Sequence, residues 1–331
     1  MNRAAWLSVI PSALQDMLLK LPPHVADRLE EIRVREGRAL EVNFAGEHSF
    51  LTLRGELTNR PDEAYRPTRE DGKRLLDMIT NHSLYSMEEE LRKGFITIPG
   101  GHRIGLAGRT VLHRGEVEHI REVTSFNIRI AREMRGVGQE VLPHLLDFRQ
   151  QSVLHTLILS PPQHGKTTLI RDLARLISYG EWNHADAKWK GLKVGIVDER
   201  SEIAGCLRGV PSFDVGPRTD VLDGCPKAEG MMMLIRSMSP DVLIVDEVGR
   251  PEDAEAIREA LHAGIRVIAT AHGSGLEEIS RRPILARLSE EELFQSYVVL
   301  NRTKQGTVRN IYDAKKRQLL TPAFARKGGG L

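Results

Sequence analysis

Leu157-Ile158-Leu159-Ser160-Pro161-Pro162-Gln163-His164-Gly165-Lys166-Thr167-Thr168 decides how this chain folds. A short apolar strand runs into a loop, and the loop opens a helix whose apolar residues Leu169, Ile170, Leu173 and Leu176 fall at helical spacing. The general pattern is G-x-x-x-x-G-K-[ST]. Its backbone N–H groups wrap phosphate, the helix N-terminus adds its dipole, the lysine reaches the β- and γ-phosphates, and the hydroxyl ligates Mg²⁺. Ser160 stands at the first position, where glycine is commoner. Gly165, Lys166 and Thr167 fill the positions that must approach phosphate. The expected nucleotide-contacting residues are therefore Ser160, Pro161, Pro162, Gln163, His164, Gly165, Lys166, Thr167 and Thr168, with ATP and Mg²⁺ as the ligands.

Working outward, three more apolar strands end in chemistry. Asp241-Val-Leu-Ile-Val-Asp246-Glu247 ends in two carboxylates. In a parallel α/β sheet ligands sit beyond the carboxyl ends of the strands. Asp246 is thus expected to hold Mg²⁺ together with Thr167, and Glu247 to orient or deprotonate the attacking water. Val194-Gly-Ile-Val-Asp198-Glu199-Arg200-Ser-Glu202 brings further carboxylates to the same edge, and Glu199 rivals Glu247 as the base. Val267-Ile-Ala-Thr270-Ala-His272 brings a histidine that can report the γ-phosphate. Strands alternating with longer helical stretches from Val153 onward predict a parallel sheet with crossover helices. A final hairpin, Tyr297–Leu300 with Thr307–Tyr312, turns at Gln305-Gly306.

The part before Arg135 reads as mixed α and β. A helix covers Ser12–Lys20. Strands carry Ile32, Val34, Leu40, Val42 and Phe44 around a turn at Gly37, and Thr68 caps a helix through Leu75, Leu76 and Ile79. Another helix carries Leu84, Met87 and Leu91. A glycine-punctuated β segment follows from Phe95 to Arg109, then a strand from Ser125 to Arg132. Gly136 and Gly138 break both periodicities and mark the linker, and a short helix over Glu140–Phe148 comes next. The expected organisation is a smaller α+β domain over 1–135 and an α/β phosphate-loop domain over 136–331 with a basic tail.

The chain has 331 residues, with 47 lysines and arginines against 45 acids, and 40% of it is hydrophobic. That composition excludes a disordered chain, and the near-balance of charge excludes a surface that attracts nucleic acid everywhere. Two cysteines, Cys206 and Cys225, fit a reducing compartment and cannot alone hold a structural zinc. No apolar run approaches the roughly 20 residues of a spanning helix, and Pro11 and Asp16 interrupt the first apolar stretch. A cytoplasmic protein is expected, held at any membrane by something else. From Asn301 to Leu331 eight lysines and arginines face one acid, Asp313. Such a tail suits anionic lipid or nucleic acid, and equally a solvated end. Aromatics make up 5% and do not interleave with clustered arginines, apart from Trp189 between Lys188 and Lys190, so base stacking is not favoured.

Four strand-end boxes in this order resemble the RecA-like ATPases of type II and type IV secretion systems. Lys166 and Thr167 match the Walker A loop, Glu199 and Glu202 the Asp box, Asp246 and Glu247 the Walker B box, and His272 the His box. Over both domains the chain is similar to one branch, the stage III sporulation AA family of endospore-forming Firmicutes. Glu31-Ile-Arg-Val-Arg35, Gly94-Phe-Ile-Thr-Ile-Pro-Gly-Gly-His-Arg103, Ser125-Phe-Asn-Ile-Arg129 and Val197-Asp-Glu-Arg-Ser-Glu-Ile-Ala-Gly205 carry that likeness. The resemblance implies a RecA-like ATPase in the mother cell, at the septal membrane facing the forespore. It would serve a secretion-like channel built with membrane proteins of the same operon. It also implies a homo-oligomer, a hexameric ring, in which arginines of the first domain (Arg103, Arg109, Arg129 and Arg132) reach the nucleotide. A nucleotide-dependent structural switch with little turnover and a RecA-type nucleic-acid motor are the alternatives.

Overall fold

The alternation around Gly37 builds the first sheet. The computed structural model describes residues 6–80, 91–92, 94–113, 115–131, 133–162, 164–303 and 306–320. The chain divides into one unit of Met1–Arg132 with Gly205–Ser212 and another of Glu133–Ala204 with Phe213–Leu331. In the first unit, α1 (Ser12–Leu19) and α2 (Pro23–Ala26) precede β1 (Leu29–Arg35), β2 (Glu41–Phe44), β3 (Glu47–Leu51) and β4 (Leu57–Thr58). Then come α3 (Arg69–Ile79), β5 (Phe95–Ile98), β6 (His102–His113) and β7 (Glu116–Arg129). The strand order is β4-β3-β2-β1-β7-β6-β5, antiparallel throughout.

One face of this sheet buries Ile32, Val34, Val42, Ile104, Leu106, Phe126 and Ile128. Leu14, Met17 and Leu18 of α1 and Leu75 and Ile79 of α3 join the same core. Thr68 caps α3 as the sequence predicts. Its hydroxyl accepts from the Asp71 N–H at 3.2 Å, and the Asp71 carboxylate accepts from the Thr68 N–H at 2.8 Å. Of the helix read through Leu84, Met87 and Leu91, only Leu91 and Arg92 are described, and both are helical. The stretch read as one β segment from Phe95 is two strands. Gly100 and Gly101 turn β5 into β6 with φ of 88° and 70°, values a side chain would resist.

The second unit runs β8 (Leu146–Asp147), β9 (Ser152–Val153), β10 (Thr156–Ser160), α4 (Lys166–Tyr179), β11 (Val194–Asp198), β12 (Thr219–Asp223), α5 (Lys227–Ser237) and β13 (Val242–Val245). It continues with α6 (Pro251–His262), β14 (Arg266–His272), α7 (Pro283–Glu290), β15 (Ser296–Thr303), β16 (Gly306–Asp313) and β17 (Gln318–Leu320). The sheet order is β12-β11-β13-β14-β10-β15-β16-β17. It is parallel from β12 to β15 and antiparallel beyond. β10, β11 and β13 are buried at every position, which is why 157–159, 194–197 and 242–245 read as apolar runs. Leu159, Val245 and Ala269 face the core shared with Met231, Ile257 and Leu285.

Two expectations of secondary structure change. The helix read over Glu140–Phe148 is a 3₁₀ turn, Leu142–Leu145, followed by the β8–β9 hairpin. Asp147 drives that change, because its carboxylate accepts the N–H groups of Arg149 and Gln150 at 3.1 Å each and bends the chain back. In the final hairpin Gly306 pairs with Thr303 as the first residue of β16, and Gln305 lies outside the described residues. The unit boundary falls at 132/133, where the sequence suggests 135/136. Residues 205–212, expected in the second domain, group with the first.

Candidate nucleotide site

The sheet order positions the site. β10 lies beside β14, which lies beside β13, and Ser160 is in register with His272. The residues that follow β10, β13 and β14 therefore emerge together. The loop after β10 ends at Gly165, whose φ of 89° is left-handed and belongs to glycine. A Cβ there would meet nothing within 4 Å, so the space over the start of α4 is open. No described side chain caps that helix end, and the first N–H groups of a helix have no partner within it. Ser160 is fully buried and donates its hydroxyl to the Pro161 carbonyl at 2.9 Å. Its side chain thus serves the loop's shape.

Lys166, the first residue of α4, is 6% exposed, and Nζ donates to Glu247 Oε1 at 2.9 Å with Asp246 Oδ1 at 3.5 Å. Thr167 Oγ1 donates to Asp246 Oδ2 at 3.2 Å. Thr270 organises the acids from β14. Its hydroxyl donates to Asp246 Oδ1 and accepts the Glu247 N–H at 2.9 Å. Glu247 has a φ of 55°, a left-handed conformation costing roughly 1–3 kcal/mol at a non-glycine residue. The Thr270 hydroxyl and carbonyl, the latter accepting from Val248 N–H at 2.8 Å, hold that backbone in place.

Glu247 is also the electrostatic centre. Besides Lys166, it meets Arg200 Nη1 at 2.8 Å on Oε2 and His272 Nε2 at 3.1 Å on Oε1. Burial pushes its pKa up, but the Lys166 hydrogen bond and the charges of Lys166, Arg200 and His272 outweigh this and hold it below the ordinary carboxylate value. The other ring nitrogen of His272, Nδ1, is buried without a hydrogen-bond partner among the described residues.

The turn after β11 completes the site. Asp198, 2% exposed, accepts the N–H groups of Glu202, Ile203 and Ala204 at 2.8, 2.9 and 2.8 Å. Burial raises its pKa against those bonds. Arg171, on the buried side of α4, donates to the carbonyls of Ile203 and Glu202, the latter at 2.6 Å, and stacks over Phe213 at 3.9 Å. Glu199 is bonded to Lys227, the first residue of α5. Asp198, Glu199, Arg200, Glu202, Lys227, Asp246 and Glu247 line one pocket.

The structure thus brings Lys166, Thr167, Asp246, Glu247 and His272 together, with Glu199 in the adjoining pocket on a different cation. Pro161 is half-buried and Pro162 exposed on the loop, His164 bonds through Nδ1 to the Pro162 carbonyl at 2.7 Å, and Thr168 sits in the first turn of α4. Gln163 lies outside the described residues, as does Arg132. Arg103, Arg109 and Arg129 belong to the first unit. Arg103 stacks over Phe95 at 3.4 Å, Arg129 lies 3.7 Å from Glu31, and Arg109 pairs across the ribbon with Glu122. In the basic tail Arg309 pairs with Glu140 at 2.9 Å and Arg317 with Asp313 at 2.7 Å, while Arg326 and Lys327 lie outside the described residues. Arg200, Thr270 and Lys227 are the site residues to which the sequence gives no role. Arg200 and Thr270 are charged or hydroxyl residues within strand-end boxes, which is the signal for them, whereas Lys227 lies outside every box and opens α5.

These residues fit Mg²⁺–ATP: an open left-handed glycine at an uncapped helix start, a buried lysine, and a hydroxyl on an aspartate. Among the described residues no group of three or more His, Cys, Asp or Glu is set to hold a metal ion. The fit to Mg²⁺ rests instead on the Thr167 hydroxyl beside Asp246, since Mg²⁺ keeps its waters and phosphate ligands and takes few from protein.

A family model described as sporulation stage III, protein AA, matches residues 3–319. Stage III sporulation protein AA of Bacillus subtilis (strain 168) is 49% identical over 314 residues, 95% of either chain. The Legionella pneumophila ATPase DotB superposes with a TM-score of 0.54 at 16% identity, covering 92% of this chain and 82% of that one. The pilus retraction motor PilT with bound ADP superposes with a TM-score of 0.53 at 15% identity, covering 86% and 78%. The fold is that of the RecA-like secretion ATPases, a mostly parallel α/β domain preceded by a smaller α+β domain.

Proposed function

We propose a function from one premise: this chain belongs to the sporulation stage III protein AA family. In our reading it binds ATP with Mg²⁺, hydrolyses it to ADP and phosphate, and drives a secretion-like channel complex needed for endospore formation. The observation that carries this is the convergence of Lys166 and Thr167, from one turn of helix, on Glu247 and Asp246 from one strand end.

Lys166 and the N–H groups at the start of α4 hold the β- and γ-phosphates, and Thr167 and Asp246 hold Mg²⁺. The metal, when bound, offsets charge on the phosphate oxygens. Glu247 takes a proton from water as the water oxygen bonds to the γ-phosphorus. The bond from that phosphorus to the β–γ bridging oxygen breaks, leaving ADP and phosphate. His272 orients Glu247 through Nε2. The Lys166–Glu247 contact favours Glu247 over Glu199 as the base, since Glu199 is turned to Lys227.

The protein works in this reading as a homo-hexameric ring. Arg103, Arg109, Arg129 and Arg132 of the first domain offset transition-state charge in the same or a neighbouring subunit. Among the described residues no helix is long and apolar enough to cross a membrane. Membrane proteins of the same operon hold the ring at the mother-cell face of the septum. Phosphate release by the purified protein, followed against protein concentration, tests the reading. Turnover per subunit should rise with concentration, and mixing Lys166→Ala with Arg129→Ala subunits should restore part of it. No phosphate release at any concentration, with or without liposomes, overturns the motor and leaves a nucleotide-dependent structural role.

A further inference from the structure

We infer that Arg200 is the residue by which this site tells a nucleoside triphosphate from a diphosphate. It pairs with Glu247 and is drawn by the terminal phosphate of the triphosphate, supplied from the same subunit. The inference rests on reading the site as an ATP site.

Arg200 sits in a turn held far more firmly than the end of a strand requires. Asp198 takes three successive N–H groups beyond it, Arg171 binds two carbonyls in the same stretch, and the Ser201 hydroxyl donates to Asp223 Oδ1 at 2.6 Å. Ser201 itself has a φ of 54°. Such a turn fixes where residues 199 and 200 project. Glu199 goes to Lys227, and Arg200 goes to Glu247.

The Arg200 side chain remains 61% exposed while Nη1 lies 2.8 Å from Glu247 Oε2. Among the described residues that contact takes one nitrogen of a planar fork of N–H donors, the geometry that suits a phosphate group. Lys166 and His272 share Glu247 Oε1, and Arg200 holds Oε2. A phosphate group competes for the same partners.

The competition is unequal between nucleotides. Lys166 reaches the β-phosphate of either nucleotide. Glu247, where Arg200 rests, is the site's γ-phosphate end, because the attacking water must lie between it and the γ-phosphorus. Only a triphosphate brings anionic oxygens there. Arg200 should therefore add to triphosphate affinity and leave diphosphate affinity alone.

The test is calorimetric titration of the full chain with Mg²⁺–ADP and with a non-hydrolysable Mg²⁺–ATP analogue, for the wild type, Arg200→Ala and Arg200→Lys. Arg200→Ala should bind ADP within about twofold of wild type. It should lose about 10- to 100-fold in affinity for the analogue, the range for one hydrogen bond to a charged group. Arg200→Lys should recover part of that, because it keeps charge and loses the fork. Retained ADP affinity reports an intact loop. An unchanged ratio of the two affinities overturns the inference, and so does an equal loss for both ligands, which marks a structural role. Wild-type protein that binds neither nucleotide refutes the ATP site itself, so the two failures are distinct.

Discussion

The two edges of the parallel sheet both gather polar and charged side chains and use them differently. At the amino edge Arg266, the first residue of β14, donates from Nη2 to Asp147 at 2.9 Å, and Nη1 meets His155 Nε2 at 2.9 Å and Gln295 Oε1 at 3.4 Å. Asp147 is further pinned by its own turn, and His155 Nδ1 accepts the Val267 N–H at 3.2 Å. Each group there has a fixed place in the frame. At the carboxyl edge Lys166, Arg200 and His272 all converge on Glu247. Fixed pairs resist rearrangement, whereas a shared carboxylate can release one partner and keep the others. Substitutions at the amino edge should therefore cost stability, and those at the carboxyl edge should cost nucleotide chemistry.

The sharpest way to break that contrast is Lys166→Ala. Losing the phosphate-binding amine should reduce turnover by about 10²–10³-fold and abolish sporulation in a strain carrying only this form. Its thermal midpoint should move less than that of any amino-edge variant. Phosphate release and a melting curve on one preparation decide it, and a variant that melts much earlier while still turning over reverses the assignment of the two edges.

Asp147→Asn probes the other side. It leaves Arg266, 16% exposed, without its carboxylate. Breaking a buried ion pair costs about 3–5 kcal/mol, and the partial exposure here points to the low end or just below it. Urea unfolding should show a lower midpoint with an unchanged slope, while the affinity for nucleotide stays within about twofold.

The smallest effect concerns pH. Burial, and then the Arg266 charge, lower the His155 pKa from 6.5 to about 4, with Asp147 opposing them. The unfolded chain therefore binds a proton between pH 6.5 and 4 that the folded chain refuses. Stability contributed by neutral His155 is complete above pH 6.5 and is lost as pH falls toward 4. The melting temperature should fall across that window in the wild type and less steeply in His155→Asn. Parallel slopes contradict this.

The same contrast explains what could be read from the sequence. Segments 157–159, 194–197, 242–245 and 267–269 of β10, β11, β13 and β14 are legible because strand centres buried on both faces read as apolar runs. β12, Thr219–Asp223, is not. It lies at the sheet edge, half-buried at every position, and its sequence Thr-Asp-Val-Leu-Asp carries neither an apolar run nor a clean alternation. Lys166, Thr167, Asp246, Glu247 and His272 are legible because each follows an apolar strand, and adjacency of strand ends does the rest. Arg200 is not. Its place depends on Asp198 and Arg171 closing a turn through main-chain groups, which leaves no periodic trace. The excursion of residues 205–212 to the first unit is hidden for the same reason, since its one bridge, Leu207 with Val210, is too short to show a pattern.

Single-turnover cleavage of γ-labelled ATP, with enzyme in excess, tests the central claim most directly when wild type and Glu247→Gln are compared after their nucleotide affinities have been measured. Removing the carboxylate while keeping its size should leave ATP affinity within a few-fold and slow cleavage by about 10²–10⁴, the range for a general base. Equal cleavage rates in the two proteins would contradict the account and move the base to Glu199.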